Sequence, residues 1–362
     1  MAKFMVDPWG SVLIKDYKEV MQKFNLEEFN VNLFPKPNRL MRRNIVFAGT
    51  DLKVISDAIK NKKKYYALTG IMPSHDKIHF GTKAVVENLK YFQDNNALTY
   101  ILIADLEALC TRGISLKESH ERALNFHIPA YIALGLDAKK TVFYFQSQNK
   151  QVINSSYDFS RKITLNEFRA LYGNPEPSRI MAATTQIADI LYPQFKEKIP
   201  GVIPVGIDQR NHVQLTRDVV SRMKNYNFIP PAALYTKFTP SLDGDVKMSK
   251  SKPESMIELP EDINSVCKKI RNAVTGGRKT LAEHRKLGAV IEKDMVFELL
   301  KQHLIEDDKE LQRIHDNYKS GKMTSNEIKE LACEKIIVFM NKFNTNLDKV
   351  RNNMHKVKFV EF

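Results

Sequence analysis

Residues from about 65 to 250 alternate short apolar β-type runs with stretches of helical periodicity, and this order constrains the fold more than any other feature of the chain. Parallel strands cannot be joined by a tight hairpin, so a helix must carry the chain back between them. Tyr65-Tyr66-Ala67-Leu68-Thr69 reads as a first strand and Thr99-Tyr100-Ile101-Leu102-Ile103-Ala104 as a second. The unbroken apolar character of the second fits a strand covered on both faces. Thr141-Val142-Phe143-Tyr144-Phe145 and Val202-Ile203-Pro204-Val205 are further candidates. A helix is expected from about Gly81 to Gln93, and capping boxes announce two others, at Ser115 with Glu118 and at Thr164 with Glu167. Such a doubly wound sheet places ligands at the carboxyl ends of its strands.

After about residue 256 the β signal fades into helical patterning, as in Asp294-Met295-Val296-Phe297-Glu298-Leu299-Leu300. The expected class is therefore α/β, a Rossmann-like doubly wound parallel sheet with a C-terminal all-helical domain. Expected boundaries are 1–62 for an N-terminal segment packing on the catalytic domain, 63–255 for that domain, and 256–362 for the helical one. The first 60 residues have mixed patterning and end in the basic run Lys60-Asn61-Lys62-Lys63-Lys64, which reads as a solvated surface.

With 362 residues, 43% of them hydrophobic, the chain can build two cores without covalent staples. Cys110, Cys267 and Cys333 lie far apart and form no C-x-x-C pair, so no disulfide framework and no metal site is expected. The segment Met1-Ala2-Lys3-Phe4-Met5-Val6-Asp7-Pro8 has no basic-then-apolar signal pattern, and no run of about 18 apolar residues occurs. The expectation is a cytoplasmic protein that does not engage a membrane. The formal net charge of +14 points to a polyanionic partner without saying which.

Two loops carry the chemistry. The first, Thr69-Gly70-Ile71-Met72-Pro73-Ser74-His75-Asp76-Lys77-Ile78-His79-Phe80-Gly81-Thr82-Lys83, follows the first strand. Gly70 lets a ligand approach the backbone, and a helix starting near Gly81 aims N–H groups and a positive dipole end at an anion. This describes a phosphate site without a Walker lysine. His79 at the helix start can donate hydrogen bonds to phosphate oxygens as charge develops on them. The second loop, Leu242-Asp243-Gly244-Asp245-Val246-Lys247-Met248-Ser249-Lys250-Ser251-Lys252-Pro253, lies at the far end of the expected sheet. Its lysines and serines can close over a triphosphate and stabilise departing pyrophosphate.

His79-Phe80-Gly81-Thr82 resembles the HIGH motif, and Lys247-Met248-Ser249-Lys250-Ser251 matches the KMSKS motif, of class I aminoacyl-tRNA synthetases. Between them, Gln186-Ile187-Ala188-Asp189-Ile190-Leu191 and Val205-Gly206-Ile207-Asp208-Gln209 followed by Leu215-Thr216-Arg217-Asp218 resemble segments of the tryptophan-specific members. Arg42-Arg43-Asn44, Ala104-Asp105-Leu106-Glu107 and Thr275-Gly276-Gly277-Arg278 are similar to the archaeal form, so the resemblance covers nearly the whole chain. It implies ATP with Mg2+, L-tryptophan and a tryptophan transfer RNA as reactants, a homodimer, and an anticodon-reading role for the C-terminal domain.

The residues this implies fall into two sets. Gly70, Ser74, His79, Gly81, Thr82, Asp208, Lys247, Met248, Ser249, Lys250 and Ser251 would serve ATP, with His79, Lys247 and Lys250 as the catalytic group. Leu68, Asp105, Glu107, Gln186, Asp189 and Gln209 would serve tryptophan. A buried indole N–H needs an acceptor, because an unpaired donor costs about 1–3 kcal/mol, and Asp189 on an apolar helix stretch is suited to supply one. Asp208 could instead be a helix N-cap, and Asp105 and Glu107 could pair with lysines. Thr82 replaces the final His of HIGH and His75 replaces the usual glycine of the Pro-Ser-Gly turn, which leaves the ATP contacts open. Tyrosine-specific members share the Gln186-x-x-Asp189 spacing, but Leu68 stands where those generally carry a tyrosine for the substrate hydroxyl. A nucleotide- or RNA-binding relative without catalysis, or a nucleotidyltransferase, would lack use for an intact KMSKS segment or for the long helical domain.

Overall fold

The computed structural model describes residues 16–173, 176–245, 248, 252–357 and 359. Nine strands occur among them: β1 (Glu27–Glu28), β2 (Val46–Thr50), β3 (Tyr66–Ile71), β4 (Ile78–His79), β5 (Leu98–Ile103), β6 (Thr141–Phe145), β7 (Gly201–Gly206), β8 (Ala232–Thr236) and β9 (Glu258–Leu259). Seven form one sheet in the order β1-β2-β8-β7-β3-β5-β6, and β4 pairs with β9 apart from it. β8, β7, β3, β5 and β6 are parallel, while β2 and β1 extend the β8 edge in antiparallel fashion. The chain winds outward from β3 through β5 and β6, then crosses back to β7 and β8 on the other side. The reversal falls between β3 and β7, where a crevice opens at the carboxyl ends of the strands.

Strand alternation sorts the apolar side chains onto two faces. Tyr66, Leu68, Tyr100, Leu102 and Tyr144 enter one core. Tyr65, Ala67, Ile101, Ile103, Phe143 and Phe145 enter the other. At the β3–β7 seam the Tyr66 hydroxyl donates to the Ile190 carbonyl at 2.8 Å. A Cβ on Gly201 would fall 1.9 Å from that tyrosine ring, so the position tolerates only glycine. The strand and helix positions expected for Tyr65–Ala104 and Thr141–Phe145 are met within two residues at each end. β2 and β8 were not anticipated, and Ser115 caps the N–H of Glu118 without the reciprocal half that Thr164 and Glu167 complete.

Beyond residue 256 the described chain is helical except for β9. Helices Ile263–Asn272, Met295–Leu299 and Ser325–Arg351 share a third core that also receives Ile78, Phe80 and Met248. The helix starting at Met295 ends in a π turn, Leu300–Leu304, closed by the Ile305 N–H on the Leu300 carbonyl at 2.9 Å. A helix C-terminus leaves carbonyls without intrahelical partners and carries the negative end of the dipole. Cations meet them here: Arg43 donates to the carbonyls of Lys301 at 2.6 Å and Ile305 at 2.7 Å, Arg39 to Gln302 at 3.0 Å, and Lys83 to His303 at 3.4 Å. Each such contact stabilises by roughly 0.3–1 kcal/mol, more where it is partly buried. No helix among the described residues is long and apolar enough to cross a membrane.

Candidate active site

A cavity of about 280 Å³ opens where β3 and β7 part. It is lined by Leu68, Gly70, His79, Gly81, Thr82, Glu107, Gln186, Asp208, Gln209 and Met248, ten of the positions singled out from sequence. Its walls are otherwise mostly apolar, with Leu102, Ile190, Ile203 and Val213 among them.

One end is formed by a helix start. His79 is the N-cap of the helix Phe80–Asp94, and its Nδ1 accepts the Gly81 N–H at 3.0 Å. An imidazole nitrogen that accepts carries no proton, so the neutral ring holds its hydrogen on Nε2. A Cβ on Gly81 would lie 2.8–2.9 Å from the ring, and glycine is what lets the ring fold back over the helix start. Gly81 and Thr82 of the first helical turn therefore line the same cavity as His79, where a helix start carries the positive end of its dipole. Across it, Met248 donates its N–H to the Thr239 carbonyl at 3.1 Å. Lys247, Ser249, Lys250 and Ser251 lie outside the described residues. Asp208 belongs to the short turn Ile207–Gln209, and its carboxylate lies over Gly206, where a Cβ would sit 2.5 Å from Oδ1. It does not cap the helix Arg210–Arg222, which has no side-chain cap. Ser74 does not line the cavity; its carbonyl accepts from Arg122 at 2.8 Å. His75 is exposed, with its carbonyl held by His127 Nε2 at 2.6 Å.

The other end is an apolar slot with a polar rim. Glu107 is buried and accepts a hydrogen bond from the Gln186 side chain, so the two form one polar edge against Leu68, Leu102 and Ile190. Asp105, two residues earlier on the same helix, points elsewhere. Fully buried, it receives the N–H groups of Leu106 and Ser147 at 3.0 Å, the Ser147 hydroxyl, and His120 Nε2 at 2.9 Å. That donor set saturates its oxygens and fixes the loop at Ser147. Asp189 is also fully buried and does not line the cavity, although Ile190 and Gln186 of its helix do. Tyr144 donates to its Oδ1 at 3.0 Å and Gln146 to its Oδ2 at 2.5 Å. Burial pushes its carboxyl up to about 8 despite those two bonds.

Several cavity residues were given no site role in the sequence reading, among them Lys237, His212 and Thr239. Lys237 follows directly on β8, is half-buried, and makes no ion pair among the described residues. Burial, helped by Lys301 nearby, lowers its pKa. Lys237 stands one residue beyond a parallel strand, where such sheets collect ligand contacts, but that strand, β8, was itself not legible in the sequence. His212 is buried against the Tyr172 hydroxyl at 3.0 Å, and burial lowers its pKa to about 3, which keeps it neutral. Thr239 lines the cavity and bonds His303 at 3.0 Å.

The model of the tRNA synthetases class I (W and Y) matches residues 60–341. The tryptophan-tRNA ligase of Methanocaldococcus jannaschii is 42% identical over 343 residues, covering 92% of each chain. The crystal structure of the tryptophanyl-tRNA synthetase of Aeropyrum pernix K1 superposes with a TM-score of 0.89 at 37% identity, over 98% of this chain and 99% of that one. That of Encephalitozoon cuniculi, solved bound to tryptophan, gives 0.85 at 27% identity, over 96% and 98%. The doubly wound sheet, the cavity at its reversal point and these full-length matches lead to one statement: the chain belongs to the class I tRNA synthetases of the tryptophan and tyrosine family, among its tryptophan members.

Proposed function

We propose that the protein joins L-tryptophan to its transfer RNA at the expense of ATP, by way of a tryptophanyl-adenylate. The observation that carries the reading is the single cavity at the β3–β7 reversal, which unites an anion-receiving helix start with an apolar slot edged by Glu107 and Gln186. The tryptophan carboxylate attacks the α-phosphate in line, and the protein contributes position and charge stabilisation. His79 Nε2–H, the Thr82 hydroxyl and the helix N–H groups meet phosphate oxygens, with Lys247 and Lys250 closing from the KMSKS segment and Lys237 adding a cation. Gly70 admits the nucleotide, Asp208 meets its ribose side, and Ser249 and Ser251 complete the loop. Among the described residues no cluster of three or more His, Cys, Asp or Glu gathers at one place, which suits a Mg2+ carried on the triphosphate and held by phosphate oxygens and water.

Glu107 and Gln186 take the substrate ammonium, Gln209 its carboxylate, and Leu68 one face of the indole. Asp189, held by Tyr144 and Gln146 behind the Gln186–Ile190 wall of the slot, is the acceptor for the indole N–H. Residues 256–362 would read the anticodon, single-stranded bases being what proteins read best in RNA. The net charge of +14 supports a polyanionic partner. A cytoplasmic homodimer is the expected form; Leu109, Tyr157 and Met181 offer an apolar surface for it, exposed on the helix Pro177–Leu191 and on two of the helices packed against it, Asp105–Arg112 and Lys150–Ser160. Amino-acid-dependent ATP–pyrophosphate exchange, run with tryptophan and with tyrosine, tests the reading. Exchange with tryptophan alone is expected; exchange with tyrosine alone, or with neither, would overturn it.

A further inference from the structure

His303 lies in the C-terminal helical region, far along the chain from either signature motif, yet it touches the first and is linked to the second through Thr239. It sits in the π turn Leu300–Leu304 and is 2% exposed. Its ring packs on Phe80 with centroids 4.7 Å apart, and its carbonyl receives Lys83 at 3.4 Å, so two residues of the helix that begins with the HIGH-like motif rest on it. On the other side its Nε2 bonds the Thr239 hydroxyl at 3.0 Å, and the Thr239 carbonyl receives the N–H of Met248 at 3.1 Å. Its Nδ1 is buried and has no hydrogen-bond partner among the described residues, so the whole polar engagement of the ring runs through Thr239. The π turn is what allows this. One extra residue in the turn rotates the side chain while the carbonyls stay open to Arg39, Arg43 and Lys83.

We infer that His303 is a positioning residue that fixes the His79 helix and the Met248 segment relative to each other, so that the C-terminal region sets the geometry of the phosphate site. Phe80 and Thr239 are the contacts its ring makes to these elements, and neither the ring nor Thr239 needs to meet substrate for the effect to appear. Misplacement of reacting groups by about 1 Å costs about a hundredfold in rate, so loss of one of several restraints should cost about tenfold. The inference rests on the ATP-dependent activation proposed above.

The test uses the full chain with four variants: His303→Phe, which keeps the ring on Phe80 and removes the nitrogen; His303→Gln, whose amide reaches the Nε2 position; Thr239→Val; and the Phe/Val double variant. Pyrophosphate exchange in His303→Phe should show kcat lowered about tenfold with KM for tryptophan unchanged within about twofold, and His303→Gln should recover most of the loss. Thr239→Val removes the same bond from its other end, so the double variant should be no slower than the worse single one. Hydrogen–deuterium exchange provides a readout independent of activity: the Met248 peptide should take up label faster in His303→Phe and Thr239→Val and return to the wild-type rate in His303→Gln. Wild-type exchange kcat in folded His303→Phe, or multiplying effects in the double variant, would overturn the inference. Should His303→Phe fail to fold, Thr239→Val with wild-type kcat overturns it alone. If the wild type itself exchanges no tryptophan, the functional reading falls, and the Met248 labelling still decides the coupling.

Discussion

Asp189→Asn separates the charge of a fully buried carboxyl from its shape. In the folded protein burial pushes this carboxyl up to about 8, against the bonds from Gln146 and Tyr144 that favour its ionised form. In the unfolded chain an aspartate titrates near ~4. Between those values the folded protein holds one proton more than the unfolded chain, so stability falls as pH rises. The contribution is fully present below about pH 4, declines up to about pH 8, and is constant above. From pH 6 to 9 the declining stretch spans about two pH units at about 1.4 kcal/mol each, which gives a loss of about 3 kcal/mol. Asparagine does not titrate. Its amide N–H2 would face Tyr144 or Gln146, both donors, at a cost of about 1–3 kcal/mol that is the same at every pH. The stability of wild type minus that of the variant should therefore fall by about 3 kcal/mol from pH 6 to 9, closing or reversing the gap. Reversible urea denaturation of both proteins at pH 6, 7, 8 and 9 measures it, since all other titrating groups cancel in the difference. Two stability curves that run parallel within about 0.5 kcal/mol would refute the assignment of the raised pKa to burial.

Three further outcomes are expected. Gly81→Ala should push the His79 ring off the helix start, costing about 1 kcal/mol of cap energy and lowering exchange kcat with KM for tryptophan unchanged; melting and exchange kinetics check both parts. Lys237→Met should raise KM for ATP about tenfold, the worth of one charge-assisted hydrogen bond, without moving KM for tryptophan. Lys250→Ala should slow adenylate formation about a hundredfold in single-turnover quench experiments and leave tryptophan binding within about twofold; unchanged adenylate formation would remove the role given to that loop.

The parallel strands β3, β5, β6 and β7 were legible because a strand buried on both faces has to be apolar throughout, as Tyr100 to Ile103 is, and few other elements look so. β2 and β8 escaped for the opposite reason. Val46–Thr50 contains Gly49, and Ala232–Thr236 follows two prolines, so both lack the dense β-branched signature that marks a strand. Local motifs pointed to the helix start that lines one end of the cavity, since that helix start and its glycine are sequence-adjacent. The amino-acid end depends on side-chain direction, which periodicity gives only coarsely. Glu107 and Asp105 differ by two residues on one helix, yet only Glu107 lines the cavity, and nothing local distinguishes them. Asp105 is turned away by Ser147 and His120, partners 42 and 15 residues distant. Likewise the Gln146 and Tyr144 bonds that orient Asp189 are tertiary, and so is the bond from His303 to Thr239 of the cavity wall.

The meeting of β3 and β7 bears on how the protein acquires its site. The Thr69 hydroxyl donates to the Pro204 carbonyl at 3.5 Å across that seam, and the two residues are 135 positions apart in the chain. β3 and β5 form their pairs through a short crossover and can associate early, whereas β7 must close a long loop before any of its contacts repay the lost chain entropy. A chain emerging from the ribosome thus completes the β3-β5-β6 half of the sheet while the ligand crevice does not yet exist. Tryptophan and ATP, which need both lips of that crevice, can bind only after the slow long-range pairing is made, and by mass action they then stabilise the step that folding reaches last.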